Sequence, residues 1–192
     1  MKVSREKAAE NREALVTAAS RLFREQGIDG VGVADISKAA GLTHGALYAQ
    51  FESKQALAAE ALSQGLRRAE VPMKKAADRG GLGACLDFYL MSNRDNLAGG
   101  CAMAASASEI ARQDVSVSTE FAGGLERMAA IIEATLDRAL PPKSRRQRAI
   151  SIAASLVGTV AAARAVAKSD PKFANEIIAA ARHVLARVGD ER

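Results

Sequence analysis

The spacing of apolar residues along this chain predicts an all-α protein with about nine helices. Near the N-terminus, apolar side chains recur at i, i+3, i+4, i+7 and i+8 between Leu15 and Phe23, which is one stripe of an amphipathic helix. Glycines and prolines separate the later apolar segments. The first predicted helix begins between Ser4 and Asn11 and ends at Gly27. The other eight cover residues 33–40, 43–51, 53–71, 86–99, 101–112, 121–140, 143–168 and 171–188, and loops are predicted at 27–32 and 78–83.

Composition and charge are consistent with that fold and place few limits on the partner. The chain is 48% apolar and only 4% aromatic, which favours helices over sheets. Its net charge of +5 is spread evenly, so it permits an anionic partner without identifying one. The N-terminus carries no apolar signal segment, and the run from Ala149 to Ala163 is too short and Ala-rich to span a bilayer. We therefore expect a cytoplasmic protein with no membrane partner.

Two helices of barely two turns each stand out between Val33 and Phe51. Isolated helices this short are marginal in water, so their stability must come from the surrounding domain. A turn containing Gly41 joins them, Thr43 is a good N-cap, and Leu47 and Phe51 supply an apolar back. This is the helix-turn-helix arrangement, whose second helix enters the major groove of DNA. Outward positions are left to Thr43, His44, Ala46, Tyr48 and Gln50, while Gly45 permits close approach of a partner helix or a phosphate.

The same region resembles a known family. From Arg12 to Lys54, the sequence REALVTAASRLF…GIDGVGVADISKAAGLTHGALYAQFESK is similar to the DNA-binding domain of TetR-family transcriptional regulators. The resemblance implies that the recognition helix begins at Thr43 and His44, and that Tyr48 and Lys54 hold phosphates. A lysine at a helix N-terminus opposes the helix dipole, so an anionic partner better explains it. The candidate DNA-binding residues are Lys38, Thr43, His44, Gly45, Ala46, Tyr48, Gln50 and Lys54.

The chain also departs from the family pattern. Gly32 stands where serine or threonine commonly begins helix 2, so a phosphate contact from that side chain is lost. Ala46 and Ala49 replace positions that are often polar or aromatic. A thymine methyl is one group that Ala46 can contact. These differences leave the operator sequence undetermined and do not alter the predicted fold.

The resemblance further implies two domains and a mechanism. Residues 1–52 would bind a palindromic double-stranded DNA operator, and residues 53–192 would bind a small apolar or amphipathic effector and form the homodimer. Paired half-sites roughly 34–36 Å apart require two-fold symmetry. Repression relieved by an effector that displaces the segment from Ser53 to Glu70 is the expected outcome. The alternative is a helical small-molecule-binding or interaction protein that does not bind DNA.

Candidates for the effector pocket and the dimer interface come from composition. Methionines and aromatics suit an adaptable apolar pocket, although at helical spacing they are more often plain core. Small residues on the long C-terminal helix permit close helix–helix approach, within one subunit or between two. The pocket candidates are Phe88, Met91, Cys101, Met103, Phe121, Leu125 and Met128, and the interface candidates are Gly158, Ala161, Ala162, Ala165, Ile177, Ala181 and Val184.

The segment from Gly99 to Arg112 resembles one TetR subgroup, in which Gly-Cys opens a helix and an acidic residue follows about two turns later. Cysteines at helix N-termini are in general more reactive than others, so Cys101 is either a sensor thiol or a small packed side chain. No catalytic constellation is recognisable, since the two histidines lie far apart and no nucleophile, metal or phosphate-loop motif occurs. We expect no enzyme activity, no metal and no cofactor.

Overall fold

Helices make up the regular structure of the computed structural model, which describes residues 5–93 and 99–190, and no strand occurs within those ranges. The all-α prediction is confirmed. The eight helices of the described chain are α1 (Arg5–Gln26), α2 (Val33–Ala39), α3 (His44–Tyr48), α4 (Lys54–Asn93), α5 (Ala102–Ile110), α6 (Val115–Glu133), α7 (Pro142–Val166) and α8 (Pro171–Asp190).

The difference between nine predicted helices and eight observed ones lies in α4. This helix contains both the segment predicted to end near Val71 and the segment predicted to follow a loop. In place of the loop, Gly80 (φ −147°, ψ 26°) and Gly81 (φ 61°, ψ −150°) form a kink between two helical stretches. Pro72 lies inside the helix and does not end it. Its missing N–H removes one helical hydrogen bond, while burial of Met73 and Ala76 just beyond it stabilises the continued helix.

Local signals at other helix ends agree with the structure. Gly27 and Gly41 follow α1 and α2 with φ values of 79° and 68°, the left-handed conformation that glycine adopts at helix C-termini. At the start of α8, Asp170 Oδ1 accepts a hydrogen bond from the Phe173 amide at 2.9 Å. These caps depend only on neighbours in sequence, which is why the pattern predicts them.

Helix α4 is the central element of the fold. It packs against α1 on the side of the short helices and against α6 and α8 on the other side. Gly124 allows the close approach of α6, because a methyl group on its Cα would collide with Leu66 of α4. The buried core is continuous from Leu15 in α1 through Leu86 in α4 to Leu156 in α7. A displacement of α4 would therefore disturb its packing against α1 as well as against α6 and α8.

Helix α7 is long and apolar enough, by length and composition alone, to cross a membrane. In the structure it is packed into the helical bundle. Its Ile152, Leu156 and Val160 side chains are fully buried against the neighbouring helices. The first turns of the same helix carry Arg145 and Arg146, which form ion pairs with Glu133 of α6 at 3.6 and 3.7 Å. Packing within the bundle explains the apolar face of this helix.

Candidate functional site

Helix α3 is held in place by its apolar back. Leu47 is 0% exposed and Phe51, just after the helix, is 3% exposed. Thr43 caps the helix as expected, with its Oγ1 accepting a hydrogen bond from the Ala46 amide at 3.3 Å. The five-residue helix therefore depends on the core beneath it for its stability, as its length requires.

The front of α3 faces solvent. Thr43, His44 and Gly45 are exposed, and Tyr48 keeps 51% of its surface accessible. The His44 and Tyr48 rings meet edge to face with centroids 5.1 Å apart, so each limits the motion of the other. A Cβ added at Gly45 would have no described atom within 4 Å, so packing inside the subunit does not require glycine there.

The remaining DNA-binding candidates lie on the elements around α3. Lys38 is exposed on α2. Ala46 in α3 and Gln50, two residues after this helix, are half-buried, so they face solvent less than the sequence predicts. Lys54 is the first residue of α4 and half-buried. Ser53 is the N-cap of that helix, since its Oγ accepts a hydrogen bond from the Ala56 amide at 3.0 Å. All eight candidates thus lie on α2, on α3, in the segments joining α2, α3 and α4, or at the start of α4.

Arg12 is a residue of this region that sequence reasoning missed. Its Nη1 donates to the Gln50 carbonyl at 2.6 Å, and its guanidinium lies 4.1 Å from the centre of the Phe51 ring. Its other amino group pairs with Glu60 of α4. One side chain from α1 therefore ties the end of the recognition segment to α4. The partners lie 38 and 48 residues away in sequence, so no local pattern reveals the contact.

Glu109 connects α5 to the loop between α1 and α2, a contact that the sequence pattern does not reveal. Its carboxylate accepts hydrogen bonds from the Ile28 amide at 2.9 Å and the Asp29 amide at 2.7 Å. Gln113 extends the link: its Nε2 donates to Asp29 Oδ1 at 3.0 Å, and its Oε1 accepts from Gln55 of α4 at 2.9 Å. Glu109 lies eight residues after Cys101, which makes it the acidic residue that follows Gly-Cys in the subgroup pattern.

A cavity of about 370 Å³ opens between α4, α5 and α6, within the size range of small-molecule sites. Four of the predicted pocket residues border it, namely Phe88, Cys101, Met103 and Met128. Cys101 is buried at the N-terminus of α5, and the Tyr89 hydroxyl donates a hydrogen bond to its Sγ at 2.9 Å. Burial and the neighbouring thiol raise the pKa of Tyr89, so its hydroxyl keeps its proton at neutral pH.

The other three predicted pocket residues do not border this cavity. Met91 is 61% exposed and points to solvent, although the next residue, Ser92, lines the cavity. Phe121 and Leu125 lie on α6 beside the face that carries Met128, and both pack against the hydrophobic core. Apolar spacing marks the inward-facing positions of a helix. It does not distinguish a position that lines a cavity from one that fills the core.

The predicted interface residues lie on two neighbouring helices. On α7, Gly158, Ala162 and Ala165 are exposed and Ala161 is half-buried. On α8, Val184 is 55% exposed and Ile177 and Ala181 are half-buried. Together with Ile150 and Phe173, which are also exposed, they form an apolar surface, called here the α7–α8 face.

Comparison with known proteins gives a sequence match over the N-terminal helices and a structural match over nearly the whole chain. The sequence model of the family described as bacterial regulatory proteins, tetR family, matches residues 15–61. The HTH-type transcriptional regulator AcrR of Shigella flexneri is 39% identical over 57 residues, a match that takes in 30% of this chain and 26% of that protein. The chain thus matches only about a quarter of the length of this curated relative.

The structural similarity extends over nearly the whole chain. The reduced form of NemR from E. coli superposes with a TM-score of 0.74 at 19% identity, covering 94% of this chain and 95% of NemR. A TetR transcriptional regulator from Legionella pneumophila superposes with a TM-score of 0.76 at 16% identity, covering 97% and 98% of the two chains. At these identities the likeness is one of fold.

Proposed function

We propose that this chain belongs to the TetR family of bacterial regulatory proteins, that it represses transcription as a homodimer, and that it leaves its operator when a small molecule fills the cavity. The observation that carries the DNA-binding part is the exposed front of α3 on a buried back. Leu47 and Phe51 fix the helix, while Thr43, His44 and Tyr48 remain accessible to a major groove.

Within that interface, we assign different tasks to the two kinds of residue. Tyr48 and Lys54 supply a hydroxyl and an ammonium for backbone phosphates, which set register and orientation. Thr43, His44 and Ala46 face base edges at the N-terminal end of α3, where polar groups and a methyl read sequence. Gly45 lets the helix approach a phosphate, and Lys38 and Gln50 extend the contact to either side.

The experiment that tests this proposal is the double substitution Tyr48→Ala with Lys54→Ala. Loss of two phosphate contacts is expected to weaken binding to a duplex, selected by the wild-type protein from a random library, by at least about tenfold. Fluorescence anisotropy over a salt series should also give a shallower salt dependence for the variant. Lys75→Ala, an exposed lysine of α4 outside this region, is the matched control.

An affinity unchanged by the double substitution would contradict the assignment of these residues. A wild-type protein that shows no sequence preference at any salt concentration would instead support a helical binding protein that does not act on DNA. Sedimentation of each variant verifies that the assembly is retained, so that a loss of dimer is not mistaken for a loss of DNA contact.

The α7–α8 face is our proposed dimer interface. Its small residues at Gly158 and Ala162 allow two α7 helices to approach closely, and a Cβ at Gly158 would meet no described atom within 4 Å. Packing this pair of helices against its symmetry mate would build a four-helix interface and remove Val184 and Phe173 from water. A dimer of this kind carries two copies of α3, as paired half-sites need.

Effector binding reaches the DNA-binding region along two helices. α4 borders the cavity with Leu66 and Phe88 and begins at Lys54. α5 borders it with Cys101 and ends near Glu109, which holds the loop before α2. An effector that fits only a displaced arrangement of these helices shifts the population away from the DNA-binding form. By linkage, DNA must weaken effector binding by the same factor.

A further inference from the structure

Arg12 of α1 contacts the segment that joins α3 to α4, called here the α3–α4 junction (residues 49–53). Its Nη1 donates a hydrogen bond to the Gln50 carbonyl at 2.6 Å, and its guanidinium lies 4.1 Å from the centre of the Phe51 ring. Phe51 is 3% exposed, so this ring is fixed in the core. A charge-assisted hydrogen bond and a cation–π contact therefore act on two consecutive residues of the junction.

The other amino group of Arg12 reaches α4. Its Nη2 forms an ion pair with Glu60, and both side chains are partly shielded from water, at 40% and 35% exposed. Glu60 lies within two turns of Lys54, the first residue of α4. A planar guanidinium holds two acceptors in fixed directions, which a lysine ammonium on a flexible stem does not reproduce. Arg12 thus joins three elements, namely α1, the junction and α4.

The junction lies between the two proposed phosphate-binding residues. Gln50 is two residues after Tyr48, and Phe51 is three residues before Lys54. Helix α3 is five residues long, too short to be stable by itself. The relative placement of Tyr48 and Lys54 therefore depends on contacts from outside the segment, and Arg12 supplies a charged one.

We propose that Arg12 is a positioning residue for DNA binding, which holds the α3–α4 junction against α1 and α4 without contacting DNA. This rests on the proposed function in taking α3 as the recognition helix. Both amino groups of Arg12 already have an acceptor, the Gln50 carbonyl and the Glu60 carboxylate, so a phosphate would compete with these partners. Because Glu60 belongs to α4, the placement of the junction depends on the position of that helix.

The substitution Glu60→Gln distinguishes positioning from direct contact, because it keeps the shape of the side chain and removes its charge. If Arg12 positions the junction, loss of its anchor on α4 should weaken binding to the duplex selected by wild type by at least about fivefold. If Arg12 instead contacted a phosphate, Glu60→Gln would free the guanidinium, remove a nearby negative charge and tighten binding. Fluorescence anisotropy well below the melting temperature measures the sign of the change.

Substitutions of Arg12 itself separate geometry from charge. Arg12→Gln should weaken binding at least about fivefold while leaving the salt dependence unchanged, whereas a lost phosphate contact would reduce the slope of log affinity against log salt by about 0.9. Arg12→Lys keeps the charge but not the two fixed directions, so it should recover only part of the loss. Arg12→Gln combined with Glu60→Gln should bind about as weakly as the weaker single variant, since both remove the same contact.

Glu25→Gln is the matched control. The Glu25 carboxylate pairs with Arg21 on α1 itself at 3.0 Å, and its exposure is similar to that of Glu60. This substitution removes the same charge and breaks an ion pair of the same helix, and it should leave DNA affinity within about twofold. A loss seen for Glu60→Gln is then not the general effect of removing a carboxylate.

Hydrogen exchange measures the contact in the absence of DNA. The Phe51 amide donates to the Leu47 carbonyl at 2.9 Å, and its exchange should become faster in Arg12→Gln and in Glu60→Gln, while amides in the centre of α7 keep their protection. A wild-type protein that selects no duplex would contradict the proposed function itself, whereas exchange at Phe51 would still show whether Arg12 holds the junction.

Tighter DNA binding by Glu60→Gln, full affinity of Arg12→Lys, or a shallower salt dependence of Arg12→Gln would overturn the proposal. Unchanged exchange at Phe51 in both variants would also overturn it. Glu60→Gln alters a partly exposed ion pair and is expected to leave the fold intact, so it decides the question even if Arg12→Gln reduces the melting temperature.

Discussion

At the scale of single residues, the two cysteines show how position decides chemistry. Cys85 is fully buried in the hydrophobic core, and burial raises the pKa of its thiol to about 11. Cys101 is equally hidden from bulk water, yet it borders the cavity and accepts a hydrogen bond from Tyr89. Cys101 is therefore part of the cavity wall, whereas Cys85 is a packing residue.

The shifted pKa of Cys85 predicts a loss of stability in alkali. The unfolded thiol ionises near its ordinary value of 9.0, whereas the folded thiol holds its proton until about 11. Between these values the native state binds more protons, so the free energy of unfolding falls as the pH rises. The contribution is on the order of 2 kcal/mol and is complete below about pH 9.

Urea unfolding of wild type and of Cys85→Ala between pH 8 and 11 measures this contribution of Cys85 to the free energy of unfolding. Other groups that titrate in alkali affect both proteins equally, so they cancel when the two free energies are subtracted. The stability advantage of wild type over the variant should shrink steadily above about pH 9. Cys101→Ala provides the comparison with the other buried cysteine. A stability difference between wild type and Cys85→Ala that does not change with pH would contradict the assignment.

At the scale of elements, α5 connects the cavity to the DNA-binding region. Cys101 at its start borders the cavity, and Glu109 near its end accepts two backbone hydrogen bonds from the loop before α2. The helix is only nine residues long, so a shift at one end is transmitted to the other without much bending. The sequence marks both residues, at a spacing of about two turns, but not what the carboxylate holds.

Replacing Glu109 tests this connection. Glu109→Ala leaves the Ile28 and Asp29 amides without their acceptor, and such a loss costs about 1–3 kcal/mol where the groups are buried. Hydrogen exchange at these two amides should become faster, while amides in the centre of α7 keep their protection.

Ser108→Ala, an exposed change on the same helix, is expected to leave exchange at both amides unaltered. If Glu109→Ala also left them protected, the carboxylate would not be what holds the loop. The variant's operator affinity, compared with that of wild type, then reports whether this link supports DNA binding.

Elements also show where sequence patterns succeed. Glycine caps at Gly27 and Gly41 and the aspartate cap at Asp170 depend on neighbours in the chain and are correctly predicted. Pro72 misleads, because a local cost of one hydrogen bond is smaller than the gain from burying residues on both sides of it. The predicted loop at 78–83 is a kink at Gly80 and Gly81, so the glycine pair marks the position of the break but not its length.

At the scale of the whole molecule, the packing of the described chain leaves the apolar α7–α8 face in contact with solvent. Exposed large apolar side chains at Ile150, Phe173 and Val184 flank the small residues of α7. Such a surface on a helical bundle is typical of protein–protein interfaces. Its location at the opposite end of the central helix α4 from α3 fits a dimer whose two recognition helices remain free.

Charge placed on this face should separate the subunits. Ala162→Glu or Val184→Glu puts a carboxylate into the interface twice, once from each copy, without a partner. The dimer dissociation constant should rise by at least about tenfold, as measured by sedimentation equilibrium, and operator affinity should fall with it.

The control is Ala139→Glu, an exposed change between α6 and α7 and outside the face. Both variants and the control should keep the wild-type far-UV circular dichroism spectrum, because the substituted positions are accessible in the subunit. A dimer unaffected by either charge would place the interface elsewhere.

The sequence by itself determined the helical class and the pair of short helices with an apolar back, because these follow from periodicity, caps and short-range spacing. Of the positions predicted to face outward, Thr43, His44 and Tyr48 are exposed, whereas Ala46 and Gln50 are half-buried. The sequence also marked Phe88, Cys101, Met103 and Met128 as pocket candidates. It did not distinguish them from Met91, Phe121 and Leu125, which do not border the cavity. Only the tertiary structure decided which apolar side chains border a cavity, and only it brought Arg12 to Gln50, Glu109 to the α1–α2 loop and Arg24 to the cavity wall. These contacts join residues distant in sequence, and their geometry is set by how helices pack, which no local pattern encodes.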